Sequence, residues 1–573
     1  MAGLQSPWFS RGVSRRAALR TGAAGTGMGA LFLAACGGDD KKDAGSGAGA
    51  GEVKRDLITA TAQAATVKQA KPGGSMTFQV SSPPPSLDPY TQTSFINSYF
   101  NGLTYSKLYR FKAGVPEVAP GDISMEPDLA ATMPETPDAS SIVIKLKPGT
   151  KYPNVPPVNG RALTSEDVRF AIERYSTFDK SVHKSFWSWV DKVETPDATT
   201  VILKTKFPYA DATQIMGGNL GAYISPKEWA ETAESATRMV GSGPYINSEY
   251  QTGVSLTFKK NPDYYDKPYP YLDEIKAFIV TDQAKRVADF SAKSVDLTWL
   301  FLPDERDQLK KNRPDAKWDE QQGIGQYIYM RTDRAPFNDK RVRQALSMGI
   351  NRQAIRAAAS KGEGVDDQAV FVGLSGWARQ VKELTGAKYW AHNPAEAKKL
   401  LEAAGATNLN FTWDHADAAV YTQTYVDTAT LTQAQWKEIG VTVKDQQAPY
   451  AQYISTTYAG QYEGVGHSPR AVPYYIDTLS DRFYWGPNGR ARINLSYVNN
   501  PALNQLLDKQ RGQYVEAERK ATIKQVEDLL SEEQYEIYGS TDTRTYFWDP
   551  SLTNYRPSSF FPYTHLMKAW KDK

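Results

Sequence analysis

Residues 335–346 read Ala-Pro-Phe-Asn-Asp-Lys-Arg-Val-Arg-Gln-Ala-Leu, a run in which a capping residue stands before an apolar pattern. Asn338 favours the start of a helix, because its side-chain oxygen can accept a hydrogen bond from a backbone N–H of the first turn. The small and apolar residues that follow recur at the spacing of one helix face: Val342, Ala345, Leu346 and Gly349. The run therefore predicts an amphipathic helix that begins at Asn338 and packs one side against a core.

Segments with helix and strand signals alternate on both sides of this run. Capping residues and terminal glycines predict further helices, which begin at Thr164, Asn393-Pro394, Thr424, Asn500-Pro501 and Val515. Alternating apolar and polar residues predict strands over residues 142–147, 200–204 and 254–259. Helices and strands are mixed without a repeat of fixed period, so the sequence predicts an α/β fold.

The net charge and the aromatic content limit the kinds of molecule that this chain is expected to bind. The chain has 573 residues and a formal net charge of +3, and residues 1–35 carry four arginines and no acidic residue. The remainder is therefore close to neutral, and nucleic acid is not expected as a partner, because a neutral surface does not attract phosphate backbones. The 33 tyrosines and 13 tryptophans include rings for the core, but flat rings with one polar edge also suit contacts with sugars, peptides and aromatic solutes.

The first 36 residues have the pattern of an export signal. Arg15 and Arg16 precede a Gly/Ala-rich apolar stretch over residues 21–35, which is too short to span about 30 Å of hydrocarbon. Residues 33–36, Leu-Ala-Ala-Cys, resemble the bacterial lipobox, and Cys36 is the one cysteine of the chain. The resemblance implies cleavage before Cys36, diacylglycerol on its sulfur, and a location at the outer face of the cytoplasmic membrane or in the periplasmic space. The Gly/Ser/Asp-rich segment that follows predicts a flexible linker.

The sequence contains no complete motif for catalysis or for metal binding. No two of the five histidines stand four residues apart, so there is no zinc-binding pair on one helix face: His183, His392, His415, His467 and His565. Residues 466–470, Gly-His-Ser-Pro-Arg, begin like a nucleophile elbow but lack its final glycine. No phosphate-binding loop occurs. We therefore expect no catalytic residue, no metal and no cofactor, although a carboxylate pair for glycoside hydrolysis stays open on sequence grounds.

Eight short motifs, in order, carry a resemblance to a known family. The chain from about Gly74 resembles the family 5 extracellular solute-binding proteins, the dipeptide- and oligopeptide-binding receptors of ABC importers. Residues 335–346 are the most specific of these motifs. The others are Ser-Leu-Asp-Pro at 86–89, Glu-Pro-Asp-Leu-Ala at 126–130, Leu-Lys-Pro-Gly at 146–149 with Leu-Thr-Ser-Glu-Asp-Val at 163–168, Gly-Ser-Gly-Pro-Tyr at 241–245, Asn-Pro-Asp-Tyr-Tyr at 261–265, the Ala/Glu/Lys/Leu run at 395–405 and Ile-Gly-Val at 439–441.

The resemblance implies an α/β, two-lobed periplasmic-binding-protein-like fold of class II and the large cluster C type, with an extra subdomain in lobe 1. Solute would be enclosed between lobes hinged by crossing strands. The implied divisions are a signal peptide at 1–35, a lipid-anchored flexible linker at 36–72, lobe 1 core at 73–112, the extra subdomain at 113–239, lobe 1 core at 240–326, lobe 2 at 327–537 and a return to lobe 1 at 538–573.

The resemblance also implies where solute would bind. In relatives the segment before Ser-Leu-Asp-Pro lines the cleft, an aromatic residue follows the first long helix, and another aromatic residue lies in the second lobe. These features correspond here to the following candidates: Ser81, Ser82, Pro83, Pro84, Phe186, Trp187 and Tyr450.

Peptide-binding relatives pair the amino terminus of the peptide with an aspartate in a Trp-x-x-Asp-Tyr run. The corresponding residues 462–470 have no aspartate at that place, and a buried ammonium without a carboxylate is costly. His467, Ser468 and Arg470 instead offer hydrogen-bond donors, which suit a carboxylate, a hydroxylated solute or a carbonyl. Substitutes for the missing acid and weaker aromatic candidates are Glu463, Asp477, Trp377, Trp413, His415 and Trp485.

We therefore expect a substrate-binding lipoprotein that captures a peptide-like or related small organic solute and delivers it to the transmembrane subunits of an ABC permease. Three alternatives stay open. The same scaffold could bind an oligosaccharide or another neutral polar solute; the chain could be an envelope glycoside hydrolase; or it could signal to a partner.

Overall fold

The structure is a computed structural model that describes residues 69–572, except residues 93, 301, 419–422, 471, 488, 492 and 559–562. The predicted signal peptide, the predicted lipidation site Cys36 and nearly all of the predicted linker lie outside the described residues. In the part of the chain that is described, no helix has both the length and the apolar character needed to cross a membrane.

Strands are distributed along the whole described chain. In order they are β1 (Ser75–Val80), β2 (Tyr109–Phe111), β3 (Met125–Pro127), β4 (Glu135–Asp138), β5 (Ser141–Lys145), β6 (Val190–Asp197), β7 (Thr200–Thr205), β8 (Tyr245–Gln251), β9 (Ser255–Lys260), β10 (Glu274–Ile279), β11 (Leu297–Leu300), β12 (Lys317–Gln322), β13 (Gly325–Met330), β14 (Val365–Asp366), β15 (Asn410–Ala416), β16 (Thr442–Ala448), β17 (Val465–Arg470), β18 (Trp485–Gly486), β19 (Gly489–Arg490), β20 (Glu536–Tyr538), β21 (Ser540–Thr541), β22 (Thr543–Trp548), β23 (Leu552–Thr553) and β24 (Trp570–Lys571).

Helices lie between these strands. They are α1 (Phe95–Thr104), α2 (Ser165–Thr177), α3 (Ala212–Gly217), α4 (Lys227–Ala230), α5 (Gln283–Ser291), α6 (Pro303–Asn312), α7 (Lys340–Met348), α8 (Arg352–Ser360), α9 (Pro394–Ala403), α10 (Gln423–Glu438), α11 (Tyr450–Ser455), α12 (Thr478–Phe483), α13 (Pro501–Arg511) and α14 (Glu516–Glu533). A 3-10 helix over Tyr563–Lys568 packs near the chain end.

Most helices begin where capping residues predicted them. Thr164 precedes α2 in a capping box with Asp167, and the side chains of Asn393 and Asn500 accept hydrogen bonds from the first turns of α9 and α13. The predicted capping residue Asn338 is wrong by one position. Asp339 caps α7, because its carboxylate accepts the hydrogen bond from the backbone N–H of Arg341.

The first large sheet has seven strands in the order β12-β22-β11-β1-β10-β9-β8. Strand β1 runs parallel to both β10 and β11, and its buried residue Phe78 packs against Phe100 of α1 and Tyr563 of the 3-10 helix. A four-stranded sheet, β4-β5-β7-β6, packs with α2 beside it. We call these two sheets and the elements packed on them, residues 69–322 and 543–572, the first lobe.

The second large sheet has five strands in the order β16-β15-β17-β13-β20. Strand β15 is parallel to β16 and β17, whereas β13 is antiparallel to β17 and β20. Trp413 of β15 packs against Trp436 of α10 with ring centroids 4.9 Å apart, and the indole N–H of Trp436 donates to the Leu346 carbonyl of α7. We call this sheet and its helices, residues 325–538, the second lobe.

Two short segments carry the chain between the large sheets. Residues 323–324 lead from β12 to β13, and residues 539–542 lead from β20 to β22. They are bonded to each other, since the backbone N–H of Gly323 donates to the Asp542 carbonyl at 2.9 Å and that of Ile324 donates to the Asp542 carboxylate at 2.5 Å. Over the described residues, the chain therefore crosses between the lobes by these two adjacent segments.

Candidate solute-binding site

Parallel strands bring one set of strand ends together in the first lobe. Strands β1, β10 and β11 end at Val80, Ile279 and Leu300, and the register of β22 places the end of β12, Gln322, at the same edge. In open α/β sheets ligands bind outside the carboxyl ends of the parallel strands. The candidate segment continues directly from β1 at this edge, with three exposed residues followed by a buried one: Ser81, Ser82, Pro83 and Pro84.

The second lobe presents the corresponding edge. Strands β15, β16 and β17 are parallel and end at Ala416, Ala448 and Arg470, and candidate Tyr450 begins α11 two residues after β16. Strand β13 enters at this edge, since Gly325 lies opposite Arg470. Both crossing segments therefore join the carboxyl edge of one sheet to the carboxyl edge of the other, which places these edges across the interlobe cleft.

Candidate Arg470 lies at the end of β17, but its donors are used within the second lobe. Its Nη1 donates to Asp367 Oδ2 at 3.1 Å and to the Gln368 carbonyl at 2.5 Å, and its Nη2 donates to the Ala369 carbonyl at 2.5 Å. Burial lowers the pKa of Arg470 and raises the pKa of Asp367, while each charge favours the ionised form of the other. The Arg470 guanidinium thus neutralises the buried Asp367 carboxylate and holds the loop at residues 367–369. The prediction that it presents its donors to solute is corrected, because these donors are already used.

Candidates His467 and Ser468 are also buried, which corrects their prediction as accessible donors. The His467 ring stacks on Tyr425 with centroids 4.5 Å apart and meets the edge of Trp413. The hydroxyls of Tyr425 and Tyr453 donate to the His467 carbonyl at 2.8 and 2.9 Å. Both side chains are buried, and β17 is the central strand of its sheet. Tyr425 and Tyr453, which lie on helices, cover the strand at His467.

This burial predicts a pH effect on stability. Burial lowers the pKa of His467 to about 3, from an ordinary value near 6.5. Between these values the unfolded chain binds a proton that the folded chain does not, so stability falls as the pH drops below about 6.5. We expect His467→Phe to reduce the loss of unfolding free energy between pH 7 and pH 5 by about 2 kcal/mol, measured by urea unfolding at both values.

Exposed His392 provides the matched control for that measurement. His392→Gln also removes one histidine, but from the surface, so it separates the loss of the buried ring from the loss of a histidine as such. An unchanged pH dependence in His467→Phe would contradict the assignment of a neutral, buried imidazole to the folded state.

The two aromatic candidates of the first lobe have different environments. Trp187 is buried, its indole N–H donates to the Gly221 carbonyl at 2.6 Å, and it stacks with Tyr175 and Trp189. It is a core residue of the first lobe, which corrects its prediction as a solute contact. Phe186 instead packs across the cleft. Its ring lies 6.4 Å from that of Tyr474 and 6.2 Å from that of Tyr475, both in the second lobe.

Most of the weaker candidates have side-chain partners within the second lobe. The two nitrogens of His415 contact the Ala416 carbonyl and the Asp445 carboxylate at 2.8 and 3.0 Å, and Trp413 is fully buried. Asp477 is bonded to Ser480, Gln510 and Arg511. Trp377 packs under Arg519 and Lys520, Trp485 lies in a two-stranded ribbon, and Glu463 is exposed. Among the described residues, no three His, Cys, Asp or Glu side chains converge as metal ligands do.

Sequence reasoning missed a seam between the lobes beside the carboxyl edges. The Asp211 carboxylate contacts Arg519, Gly218 approaches Tyr474, and the backbone of Gly121 pairs with Ser375. In every case the partners are far apart in the chain and lie in opposite lobes. No local pattern marks them, since each is an ordinary residue type in a turn or on a helix.

Comparison with known proteins agrees with this architecture. A family model described as bacterial extracellular solute-binding proteins, family 5 Middle, matches residues 124–484. Di/tripeptide-binding protein 1 of Pseudomonas aeruginosa is 25% identical over 389 residues, which cover 63% of this chain and 69% of that protein. Glutathione-binding protein GsiB of Pectobacterium atrosepticum is 23% identical over 463 residues, which cover 78% of this chain and 84% of that protein.

A solved structure has the same fold. The ABC transporter substrate binding protein CtaP of Listeria monocytogenes matches with a TM-score of 0.71 at 20% identity, covering 88% of this chain and 100% of that one. The predicted mixed α/β, two-lobed fold is confirmed by such neighbours. The relatives are binding proteins and not enzymes, which removes the glycoside hydrolase alternative. The chain belongs to the bacterial extracellular solute-binding proteins of family 5.

Proposed function

We propose that this chain captures a peptide-like solute between the carboxyl edges of its two large sheets and delivers it to a membrane permease. Proteins of this family serve ABC importers, bind peptides or related solutes, and work outside the cytoplasmic membrane. A lipid on Cys36 would hold this chain at the outer face of that membrane, and residues 36–72 would be the tether.

One observation carries the proposal. Both crossings, residues 323–324 and 539–542, connect the carboxyl edge of one sheet to that of the other. Rotation about such a paired crossing would bring the two edges together or part them. Solute held between them gains contacts from both lobes only in the closed state, so binding favours closure.

The charges at the second-lobe edge limit which chemical groups of a solute can bind there. Asp367 is neutralised by Arg470, and Asp477 is paired with Arg511. A solute ammonium docking there would compete with a guanidinium for each carboxylate, and an unpaired buried charge is costly. We therefore propose that the solute is not held at this edge by a free amino terminus, and that blocked peptides fit as well as free ones.

The same charges favour a second candidate, a neutral polar solute such as an oligosaccharide. Tyr474, Tyr475 and Phe186 form an aromatic group that spans the lobes beside the edges. Flat rings with polar edges can stack on a sugar as readily as on a peptide side chain.

The test begins with native mass spectrometry of the purified protein, which identifies any co-purified solute. Calorimetry then compares di- and tripeptides with their N-acetylated forms. We expect the two forms to bind within about tenfold of each other. A preference of about 100-fold or more for the free amine would contradict the proposal, and binding of an oligosaccharide alone would select the second candidate.

The anchor is tested separately. We expect the wild-type chain in the membrane fraction with a lipid adduct on Cys36, and a Cys36→Ser chain in the soluble exported fraction. A free thiol on Cys36 in the membrane fraction would contradict the lipid anchor and leave the solute proposal untouched.

A further inference from the structure

A buried ion pair joins the two lobes. Its members, Asp211 and Arg519, are 308 residues apart in the sequence. Asp211 immediately precedes α3 in the first lobe. Its two carboxylate oxygens accept hydrogen bonds from Arg519 Nη1 at 2.6 Å and Nη2 at 2.7 Å, and Oδ2 also accepts the backbone N–H of Asp477 at 2.6 Å. Bidentate pairing of this kind is among the stronger polar contacts in proteins.

Asp211 is fixed to the first lobe. The segment that it begins is tied to α1 and to the residues after it, since Lys107 Nζ donates to the Gly217 carbonyl at 2.7 Å and Ser98 Oγ donates to the Asn219 carbonyl at 3.0 Å. The α1 ring of Phe100 in turn packs on Phe78 of β1. Asp211 therefore moves with the seven-stranded sheet.

The partner group is fixed to the second lobe. Gln510 Oε1 accepts from Arg519 Nε at 3.0 Å and from Nη2 at 2.7 Å, and Gln510 Nε2 donates to Asp477 Oδ1 at 2.5 Å. Arg511 Nε donates to Asp477 Oδ2 at 3.0 Å. The second lobe thus orients the Arg519 guanidinium without help from Asp211. Because Asp477 is already paired with Arg511, the charge of Arg519 is balanced by Asp211.

Backbone contacts run beside the pair. The N–H of Ala210 donates to the Arg511 carbonyl at 2.7 Å, and the N–H of Tyr209 donates to the hydroxyl of Tyr514 at 3.2 Å. Asp211 is 1% exposed and Arg519 is 4% exposed. Water is thus excluded from the pair in this arrangement, and opening of the cleft would separate both groups and rehydrate them.

We propose that Asp211 is a positioning residue for solute retention: its ion pair with Arg519 forms only when the cleft is closed, and it holds the lobes together without touching solute. The inference rests on the proposed capture of solute between the lobes. Truncating one partner of a desolvated charge pair leaves the other buried and unpaired, and this acts mainly on dissociation. Asp211→Ala therefore shifts the equilibrium toward the open state.

The experiment measures the closed-to-open ratio by pulsed electron spin resonance. Spin labels are placed on the full chain by Glu135→Cys in the first lobe and Lys444→Cys in the second, in a Cys36→Ser background; both sites are exposed. The probes are a tryptic peptide digest and a mixture of malto-oligosaccharides at saturating concentration. We expect Asp211→Ala to lower the closed-to-open ratio about 30-fold with the probe that closes the wild type.

Two further variants separate positioning from stability. Asp211→Lys combined with Arg519→Glu restores an ion pair and should return the ratio to within about fivefold of the wild type. Glu166→Ala breaks the exposed pair with Arg169 inside the first lobe and should leave the ratio unchanged. The melting temperature of the unliganded Asp211→Ala chain should stay within about 2 °C of the wild type.

The possible results bear on the inference and on the proposed function separately. An unchanged ratio in Asp211→Ala overturns the inference, as does a lower melting temperature with an unchanged ratio, which would mark a structural residue only. A wild type that closes with neither probe contradicts the proposed function, and the inference falls with it. Closure of the wild type with no loss in Asp211→Ala refutes the inference alone.

Discussion

Gly121→Ala is expected to weaken solute binding at least about 100-fold while the melting temperature of the unliganded protein stays within about 2 °C of the wild type. A Cβ at this position would lie 2.0 Å from the carbonyl oxygen of Gly373 and 3.1 Å from Ser375 Oγ. Both neighbours belong to the second lobe, and the first is rigid backbone. The clash therefore exists only when the lobes are closed, and overpacking at that seam opposes closure.

Gly512→Ala is the matched control for this prediction. Gly512 lies at the same seam, in the second lobe, but the nearest atom to an added Cβ is Pro208 Cβ of the first lobe at 3.6 Å, an ordinary contact. Calorimetry with the solute identified by mass spectrometry should show a change of less than about threefold. Wild-type affinity in Gly121→Ala would show that solute binding does not need the closed arrangement described here.

Arg470→Ala should lower the free energy of unfolding by about 3–5 kcal/mol, measured by equilibrium unfolding in urea. The substitution leaves the Asp367 carboxylate buried, fully shielded from solvent and without its guanidinium partner. It also removes the donors that hold the carbonyls of Gln368 and Ala369. Burial already raises the pKa of Asp367, and without Arg470 to oppose it the carboxyl would take up a proton at higher pH.

The paired variant Asp367→Leu with Arg470→Met tests the cause. Removing both charges and filling the space with apolar side chains should recover at least half of the loss, because no unpaired charge remains. A loss below about 1 kcal/mol in Arg470→Ala would show that the ion pair contributes little to the second lobe.

Local sequence signals were enough to predict where most helices begin. Thr164, Asn393 and Asn500 each bond to backbone groups two or three residues away, so the information needed to start these helices lies within one turn. Where two capping residues are adjacent, the sequence does not choose between them. Asn338 and Asp339 are both suitable, and the turn made by the residues before them placed Asp339 at the start.

Burial of the candidate site residues could not be predicted locally. His467, Ser468 and Trp187 are polar or amphipathic residues in short segments, and nothing in those segments says which face is covered. The covering groups come from distant parts of the chain: Tyr425 stacks on His467, and Gly221 accepts the indole N–H of Trp187. The positions of Ser81–Pro84 and Tyr450 as solute contacts stay predictions.

Residue order along the chain was sufficient for the α/β class, for the family and for the starts of most helices, because caps, periodicity and short motifs act over a few neighbouring residues. The cleft and its seam required the folded chain. Asp211 meets Arg519, and Gly121 meets Gly373, only after two sheets have formed and the crossings have set their carboxyl edges opposite each other. Contacts of this kind depend on the relative placement of distant segments, which no local pattern encodes.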